Sequence, residues 1–505
     1  MEVLLNAAQM KQCDSDTIHR IGIPSSVLME RAALSVVDEL YRHAYDLHSV
    51  LVVCGPGNNG GDGFAVARLL DERGVRVTVA FVGRESSMSQ ETIQQKKICE
   101  NCGIKTSTNF QVHEYTVIVD AIFGIGLSRS IEGEIAEVIR WVNRQVAVRV
   151  AVDIPSGVSS DNGKILGEAI RADLTVTFAY RKLGHILYPG TQLCGTVVRR
   201  DIGIAAGPAA ENGGGTVFTY DSEDLQRVAR RSPYSNKGTY GKVLLVAGSS
   251  GMSGAACLAA EAAYRSGSGL VRVFTPECNR TVIQTFLPEA IVTAYDPAFF
   301  PMQALTEALD WADVTGIGPG LGKSSTSAYL LREVLSRSKT PVVIDADGLN
   351  LLSESMELLE EAQCSIVLTP HIGEMMRLTA NTKEEILDDL LRCAKRFARE
   401  YRVVCVLKDA RTVVTDGKQT YLNTSGNHGM AVGGSGDVLT GIICGLLAQG
   451  MRTFDASSLG VYLHGLSGDR ASRRNGTYGM IAGDITKQIG QVLKMADADI
   501  REEQS

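Results

Sequence analysis

Short apolar runs alternate with segments of helical length through both halves of the 505-residue chain. In the first half the apolar runs are Val50–Cys54, Val75–Phe81, Thr116–Ala121, Val146–Val152 and Leu174–Phe178. The segments of helical spacing between them are Phe64–Arg73, Met88–Cys102 and Glu132–Arg144. Nearly continuous Val/Ile runs that alternate with helices predict a parallel sheet covered by helices on both faces.

The second half has the same alternation without repeating the sequence of the first. Its apolar runs are Lys242–Ala247, Leu270–Phe274, Val314–Ile317, Val342–Ile344, Ile366–Leu368 and Val403–Leu407, and an apolar helix is predicted at Val438–Ala448. Between the halves, the Gly-rich stretch Ile204–Val217 has the composition of a linker. We therefore predict two α/β domains, over residues 1–212 and 218–505.

Composition narrows the class of protein. The formal charge is −7, and 44% hydrophobic with 21% charged residues is ordinary for a soluble globular chain. The acidic balance and the lack of a basic cluster argue against nucleic acid as a partner, and no apolar stretch is long enough to span a membrane. The amino terminus lacks the pattern of a secretion signal, and 11 scattered cysteines fit reduced thiols, so we expect a cytoplasmic protein. Cys99 and Cys102 form a lone C-x-x-C, which we place at the end of a helix.

The most informative segment is GPGNNGGDGFAVAR, from Gly55 to Arg68, directly after an apolar run. Five glycines among its first nine residues predict a loop that brings backbone amides against phosphate, followed by a helix. Asn58, Asn59 and Asp62 add side-chain donors and acceptors that a plain phosphate loop does not need. The segment therefore predicts a ligand or ion that is bound by side chains as well as by backbone.

Two aspartates, Asp120 and Asp153, end buried runs in the same half. Such aspartates can simply cap the next helix, but the residues that follow these two are not helix-like. With Asn59 and Ser156 they offer a cluster of hard oxygen atoms, which suits an alkali or alkaline-earth cation.

The clearest chemistry in the second half is at Gly433–Asp437, which reads GGSGD before an apolar helix. Glycine amides at a helix N-terminus form an anion site, and a carboxylate in the first turn is stabilised in its ionised form. A plain capping role for Asp437 is the alternative. A base beside an anion site is the combination that phosphoryl transfer requires.

Other polar residues in this half also follow predicted strands. His371 suits either ligand contact or a structural role, and Lys408 suits either a nucleotide phosphate or a solvated strand end. Asp345 and Asp347 would point the same way on an extended segment, bound either to metal-coordinated water or to a structural partner. The segment Gly316–Ser324, GIGPGLGKS, has the wrong spacing for a P-loop and leaves only a tight glycine turn.

Together these motifs resemble a known pair of domains. LMERAA (Leu28–Ala33), GPGNNGGDGFAVAR, VDAIFGIGL (Val119–Leu127) and AVDIPSGV (Ala151–Val158) resemble the NAD(P)HX epimerase domain. NKGTYGKVLLVAGS (Asn236–Ser249), GPGLG, DADGLN, LTPHIGE, LKDARTVV and GGSGDVLTGI resemble the NAD(P)HX dehydratase domain. The resemblance implies an α/β fold of two three-layer αβα domains, Rossmann-like in the N-terminal sheet and ribokinase-like in the C-terminal sheet.

For the first domain the resemblance implies a site for hydrated NAD(P)H. The residues expected to hold it are Asn58, Asn59, Gly60, Gly61, Asp62, Gly124, Ile125, Gly126, Leu127, Ser128, Arg129, Ser130 and Asp153. It also implies a potassium ion bound by Asn59, Asp120 and Ser156. Asp153 is the expected acid/base for epimerisation at C6.

For the second domain it implies a site for the S epimer, with Asp437 as catalytic base, and a nucleotide site with Mg²⁺. The residues expected to contact the S epimer are Ala255, Gly320, Gly322, His371 and Asp437. The residues expected to hold the nucleotide are Lys408, Asp409, Ala410, Arg411, Thr412 and Gly436. Asp409 stands where many members have glycine and Ile372 where many have proline, and Asp409 adds a negative charge near the expected phosphate.

The implied function is the repair of hydrated NAD(P)H: epimerisation of its R and S forms, then dehydration of the S form with ADP, or alternatively ATP, as phosphoryl donor. Small-molecule substrates and a homo-oligomer follow from the same resemblance. The alternative is a vitamin-type small-molecule kinase fused to a nucleotide-binding module without catalytic activity.

Overall fold

The computed structural model describes residues 1–107, 109–205, 216–297, 300 and 302–502, with side chains as far as residue 495. The chain divides into two compact units, Val3–Thr216 and Val217–Ser505, the second of which includes Met1–Glu2. Residues 206–215 of the predicted linker Ile204–Val217 lie outside the described residues. The functional domain boundaries at residues 212 and 218 therefore stay predictions.

The first unit is a parallel sheet covered by helices. Apart from β1 (Glu2–Leu4), which is not part of this sheet, its strands are β2 (Val50–Cys54), β3 (Val77–Phe81), β4 (Val117–Ala121), β5 (Val148–Val152), β6 (Leu174–Phe178) and β7 (Thr196–Arg200). Its helices are α1 (Ala7–Ser15), α2 (Ser25–Arg42), α3 (Asn58–Glu72), α4 (Gln90–Asn101) and α5 (Gly133–Arg144). The order β3-β2-β4-β5-β6-β7 is parallel throughout, and separate apolar clusters pack on its two faces.

All five strands predicted in this half are present, because each buries its Val/Ile side chains on both faces. The edge strand β7 was not predicted, since its sequence TVVRR is short of apolar residues and ends in two arginines. Its side chains are partly exposed in the structure. The predicted start of α3 is wrong: the helix begins at Asn58, not at Phe64. Its early glycines are set by close packing, because a Cβ at Gly60 would lie 1.8 Å from the carbonyl oxygen of Gly55.

The second unit contains a larger mixed sheet. Its strands are β8 (Val217–Thr219), β9 (Lys242–Val246), β10 (Leu270–Pro276), β11 (Ile291–Tyr295), β12 (Val314–Ile317), β13 (Val342–Ile344), β14 (Ile366–Leu368), β15 (Val404–Leu407), β16 (Val413–Thr415) and β17 (Thr420–Leu422). They lie in the order β8-β17-β16-β15-β14-β13-β12-β9-β10-β11. The pairs from β15 to β11 are parallel, and β16 is antiparallel to both β15 and β17.

Helices cover this sheet on both faces. They are α6 (Ser253–Arg265), α7 (Arg280–Phe286), α8 (Met302–Trp311), α9 (Ser325–Arg337), α10 (Asp347–Leu352), α11 (Leu358–Glu361), α12 (Ile372–Thr379), α13 (Lys383–Asp388), α14 (Leu390–Tyr401), α15 (Ser435–Ala448), α16 (Thr453–Gly479) and α17 (Ala482–Glu502). All but two of the 14 residues of α15 are buried, so this helix is the centre of the core. It begins at Ser435, three residues before the predicted start.

The six strands predicted in the second half are all present, but four more were missed. β8, β16 and β17 have three residues each, too few for a clear alternating pattern, and β11 is only partly buried. Cys102 caps the end of α4, as predicted for the C-x-x-C pair. None of the 11 cysteines, all of which lie among the described residues, forms a disulfide.

The structure corrects the expectation that the chain has no cluster of basic residues. The sequence has no basic run, yet Arg470, Arg473 and Arg474 on α16 lie with Lys487 of α17 around one surface hollow. Helical spacing gathers residues that are separated along the chain. Among the described residues, no helix has the length and apolarity to cross a membrane.

The close contact between α15 and α6 gives a stability prediction. A Cβ at Gly441 would lie 2.2 Å from the carbonyl oxygen of Ala259, so Gly441→Ala should destabilise the second unit by about 1–3 kcal/mol. Gly490 on α17 has open space around it, and Gly490→Ala should be neutral or stabilising by up to about 1 kcal/mol. Urea unfolding followed by Trp311 fluorescence, in a Trp141→Phe background, measures both. Equal effects of the two substitutions would contradict the packing.

Candidate active sites

A cavity of about 510 Å³ lies at the carboxyl ends of the strands of the first unit. Of the residues expected there, Asn58, Asn59, Asp62, Gly124, Ile125, Gly126, Leu127 and Asp153 line it. Gly60 and Gly61 do not, because they are buried where α3 packs on its neighbours. Ser128, Arg129 and Ser130 are exposed and do not line it either. Parallel α/β sheets generally bind ligands at this edge.

The first turn of α3 forms one wall of the cavity. The connection from β2 to α3 is only Gly55–Gly57, so Asn58, Asn59 and Asp62 project from a helix and not from the expected loop. Glycine is required beside them, since a Cβ at Gly63 would lie 2.5 Å from the Ala121 Cβ. The helix N-terminus is thereby held directly against the sheet edge.

Behind this wall, Asp120 and Ser156 form a buried polar pair. The Ser156 hydroxyl donates to Asp120 Oδ1 at 2.6 Å, and the Ser156 amide donates to Oδ2 at 2.8 Å. Burial raises the pKa of Asp120 to about 6, although these hydrogen bonds act in the opposite direction. Asn59 is buried nearby, beside Gly124, and its Nδ2 has no partner among the described residues.

Asp153 is held by a lysine that the sequence reasoning missed. Lys182, which is 1% exposed, forms an ion pair with Asp153 Oδ1, and the Thr177 hydroxyl donates to the same oxygen at 3.0 Å. Burial opposes the charge on Asp153, but Lys182 outweighs it and lowers the pKa of this carboxyl. His185 Nε2 lies 2.9 Å from the Asp153 carbonyl oxygen, and burial lowers the pKa of His185 to about 3. Asp153 is therefore ionised at neutral pH.

In the second unit, glycine turns bring two strand ends together. Gly320 has φ +59°, and a Cβ there would lie 3.0 Å from the Ala255 Cβ, so these two expected substrate residues are neighbours. The Gly322 amide donates to Asp347 Oδ2 at 2.9 Å. The segment GIGPGLGKS forms the end of β12 and a turn before α9, and not a P-loop.

Lys408 lies at the centre of the charged groups of this site. Its Nζ donates to Asp345 Oδ1 at 2.8 Å and lies 4.0 Å from Glu374 Oε2. The Thr440 hydroxyl of α15 donates to Asp345 Oδ2 at 2.7 Å. Burial opposes the charge on Asp345, yet Lys408 lowers the pKa of Asp345. Lys408 is thus an ion-pair partner and not a solvated strand end.

The expectation that Asp345 and Asp347 point the same way is wrong. Ala346 has φ +49°, and α10 begins at Asp347, so the segment is not extended. Asp345 turns to Lys408, while Asp347 accepts from Gly322.

Asp437 lies in the first turn of α15, after Gly434 with φ +91°. Burial, followed by the charge of Asp345, raises the pKa of Asp437 to about 7, although Lys408 acts in the opposite direction. A Cβ at Gly436 would lie 3.4 Å from Lys408 Nζ, so this glycine keeps the backbone close to the lysine. A carboxyl group that titrates near neutral pH therefore lies beside free helix N-terminal amides.

His371 caps α12. Its Nδ1 accepts from the amides of Gly373 and Glu374, at 2.9 and 3.3 Å, and burial lowers its pKa. Glu374 is in the first turn of α12, as expected, and burial raises its pKa to about 7. Ile372 is the first helical residue, a position where proline is also well tolerated.

The expected nucleotide residues Lys408–Thr412 form the turn between the antiparallel strands β15 and β16. Asp409 and Ala410 are exposed, and the Thr412 hydroxyl donates to the Asp409 carbonyl oxygen at 3.3 Å. Asp409, which stands where many members have glycine, therefore projects from the surface of a turn.

Comparison with known proteins gives matches to both units. A family model described as YjeF-related protein N-terminus matches residues 25–184, and one described as NAD(P)H-hydrate dehydratase matches residues 243–491. A bifunctional NAD(P)H-hydrate repair enzyme of Moorella thermoacetica is 39% identical, with 98% of both chains covered.

Solved structures match the second unit. An ADP/ATP-dependent NAD(P)H-hydrate dehydratase from Bacillus subtilis, co-crystallised with ATP/Mg²⁺, is 30% identical, with a TM-score of 0.50 over 55% of this chain and 98% of that chain. A ribokinase-like superfamily protein from Enterococcus faecalis is also 30% identical, with a TM-score of 0.50 over 55% of this chain and 96% of that chain. The fold predicted from the sequence is confirmed.

The ion pair between Asp153 and Lys182 can be tested by stability measurements. Lys182→Met leaves a buried charge without a partner and should cost about 3–5 kcal/mol of unfolding free energy at pH 7. The pKa of Asp153 is lowered in the folded protein, so its ionised carboxyl group stabilises the native chain at pH values above the pKa of the unfolded state. This contribution to the free energy of unfolding is lost as pH falls through the pKa of the folded state. In the variant, acid neutralises the unpaired carboxylate, so the loss should shrink towards pH 4.

The measurement is urea unfolding followed by Trp141 fluorescence in a Trp311→Phe background. Lys11→Met is the matched control, because Lys11 lines the same cavity but is exposed, and it should change stability by less than about 0.5 kcal/mol. Adding Asp153→Asn to Lys182→Met should recover part of the loss. Equal stability of the two lysine variants at pH 7 would contradict the ion pair.

Proposed function

The chain belongs to the family of bifunctional NAD(P)H-hydrate repair enzymes, and we propose that it epimerises R- and S-NAD(P)HX and dehydrates the S form to NAD(P)H with ADP as phosphoryl donor. The observation that carries this proposal is the pairing, in each unit, of a strand-edge site with an aspartate in an ion pair with a lysine. A function that needs both sites explains why the two units occur in one chain.

The first unit carries the epimerase activity in this proposal. The cavity at its strand ends holds the hydrated nicotinamide, and the expected substrate residues on α3 and at Gly124–Leu127 line that cavity. Asp153 is ionised beside Lys182, as a proton acceptor has to be. The C6 carbon of the substrate is the reacting centre, because only its configuration differs between the two epimers.

A potassium ion fits the residues behind the cavity. Asn59, Asp120 and Ser156 supply an amide, a carboxylate and a hydroxyl oxygen within one buried cluster, and the Phe123 carbonyl oxygen lies 3.2 Å from Ser156 Oγ. Hard oxygen donors of this kind suit an alkali cation. The ion would organise the segment after β4 and neutralise Asp120.

The second unit carries the dehydratase activity. Hydroxide is a poor leaving group, so the C6 hydroxyl must first be converted to a phosphate ester. Asp437 removes the hydroxyl proton as the hydroxyl oxygen attacks the terminal phosphorus of the nucleotide, and AMP leaves. The lone pair of the ring nitrogen then expels phosphate, and loss of a proton from C5 restores NAD(P)H.

The residues around Asp437 support this order of reaction steps. In this proposal the first-turn amides of α15 bind the transferring phosphoryl group, and Lys408 adds positive charge close to Gly436. Mg²⁺ would bind with the nucleotide phosphates and offset their charge. ADP is our proposed donor, and ATP is the alternative that a direct comparison of the two nucleotides decides.

The rival function, a vitamin-type kinase, would use the same base and anion site but release a stable phosphate ester. It gives no role to the cavity of the first unit. We also propose a cytoplasmic location, supported by 11 cysteines that form no disulfide among the described residues, and a homo-oligomer of this chain.

Removal of the proposed base tests the dehydratase mechanism. Asp437→Ala should lower kcat/KM for dehydration of S-NADHX by about 10²–10⁴-fold, while epimerisation by the same chain is unchanged. In the native chain kcat/KM should fall as pH drops through about 7, because a protonated Asp437 cannot accept a proton.

Glu374→Gln is the matched control for this pH limb, since burial also raises the pKa of Glu374 to about 7. The acid limb should persist in that variant and vanish in the residual activity of Asp437→Ala. Near-native dehydration by Asp437→Ala, or loss of the limb in Glu374→Gln alone, would rule out the assigned base.

The potassium proposal predicts ion-specific activation of epimerisation. Replacement of K⁺ by Na⁺ or tetramethylammonium at constant ionic strength should slow epimerisation but leave dehydration of the S form unaffected. Ser156→Ala should raise the K⁺ concentration for half-maximal activation on the order of tenfold or more. An unchanged K⁺ response in this variant would argue against the three assigned ligands.

A further inference from the structure

Two carboxyl groups without a partner line the cavity of the first unit beside the paired Asp153. They are Asp14, near the end of α1, and Asp62, in the first turns of α3. Neither forms a hydrogen bond or an ion pair with any residue that the structure describes. The buried ammonium of Lys182 is already held by Asp153 and by the Thr177 hydroxyl, and its charge offsets the effect of burial on Asp14 only in part.

This arrangement separates the protonation states of the carboxyl groups. Burial, with the charges of Asp153 and Asp14, raises the pKa of Asp62 well above its usual value, and burial also raises the pKa of Asp14 to about 6. Asp153 remains ionised because Lys182 stabilises its charge. One cavity therefore contains an ionised carboxylate and a second carboxyl group that keeps its proton to a higher pH than usual, the combination that general acid–base catalysis uses.

Asp62 is held more firmly than Asp14. It lies between two glycines that pack tightly: a Cβ at Gly61 would lie 2.7 Å from Met29 Cε, and one at Gly63 would lie 2.5 Å from the Ala121 Cβ. Asp14 is the last but one residue of α1, where the helix passes into a π-helical turn at Asp16–Ile21. A catalytic acid has to keep a fixed position relative to the base, which favours Asp62.

We propose that Asp62 is the general acid of epimerisation and works with Asp153 as the general base; this rests on the epimerase activity proposed above. Asp153 takes the proton of the C6 hydroxyl, the oxygen electrons form a C6=O bond, and the C6–N1 bond breaks. Its electron pair goes to N1, which takes a proton from Asp62. Rotation about C5–C6 presents the other face of the aldehyde, and ring closure returns each proton to its donor.

When the ring opens and closes in this way, both carboxyl groups have returned to their starting protonation states at the end of every turnover. Loss and re-addition of the hydroxyl would instead leave Asp62 ionised and Asp153 protonated, so a resetting step would be needed. No oxidant, nucleotide or other reactant takes part, which fits a reaction that changes only the configuration at C6.

The pH dependence of the reaction also depends on the neighbouring charges. The titratable groups that line the cavity with Asp62 are Asp14 and Lys11 from α1, Glu91 from α4, and Asp153 with Lys182 beyond β5 and β6. The residues that α2 contributes to this wall, Ser25, Leu28, Met29 and Ala32, carry no charge. In wild type the rate should fall at high pH as Asp62 loses its proton, and at low pH as Asp153 gains one.

The test compares Asp62→Asn with Asp14→Asn, which removes the other unpaired carboxyl group from the same cavity. Interconversion of purified R- and S-NADHX is followed by chromatography without nucleotide, so that the dehydratase is inactive. Asp62→Asn should lower kcat by about 10²–10⁴-fold with KM within about threefold of wild type, and Asp14→Asn should stay within about threefold in both. The alkaline limb should be absent from the residual activity of Asp62→Asn and present in Asp14→Asn.

Several outcomes are decisive. Wild-type kcat in Asp62→Asn, or a larger loss in Asp14→Asn, would overturn the role of Asp62. Partial recovery of kcat by Asp62→Glu, which retains a carboxyl group, would support it, whereas activity no higher than that of Asp62→Asn would count against it. Urea unfolding followed by Trp141 fluorescence in a Trp311→Phe background verifies that the first unit of every variant is folded, and failure of wild type to interconvert the epimers would instead refute the epimerase function.

Discussion

Each candidate active site is organised by one lysine that stabilises the charge of one strand-end aspartate. In the first unit Lys182 holds Asp153, and in the second Lys408 holds Asp345. Burial raises the pKa values of other carboxyl groups at the same sheet edges, and the lysine charge does not offset that effect in full. The result is carboxyl groups that can give or take a proton near neutral pH.

The consequence differs between the two units. In the second unit Asp437 and Glu374 both have pKa values raised to about 7, and only Asp437 lies in the first turn of the buried helix α15. It is thus the group with access to both a hydroxyl proton and an anion site. In the first unit Asp62, whose pKa is raised by burial, lies in the same cavity as the ionised Asp153, which suits a reaction without net transfer of any group.

Most of the fold was predictable because buried parallel strands carry a strong signal. Runs such as Val50–Cys54 and Val342–Ile344 have the same bounds in the sequence prediction and in the structure. The start of α3 was mispredicted, since Gly60, Gly61 and Gly63 disfavour a helix by intrinsic propensity. Tertiary packing outweighs that propensity here, because no larger residue fits against the sheet.

The candidate sites were predictable only in part. Aspartates at strand ends could be recognised, because the carboxyl ends of parallel strands converge at one edge. Lys182 could not, because it lies 29 residues from Asp153 in a segment without periodicity, and its burial depends on the folded chain. The orientations of Asp345 and Asp347 were mispredicted because the positive φ of Ala346 has no signature in the sequence.

The central claim is that the two sites of this chain act in succession on one substrate. Its most direct test is the absorbance of the reduced-nicotinamide band after addition of the enzyme to a mixture of R- and S-NADHX with ADP, Mg²⁺ and K⁺. We predict full recovery of NADH from the mixture, at a rate faster than spontaneous epimerisation allows. Recovery that stops at the S fraction would contradict the account, because the first unit would then have no catalytic activity.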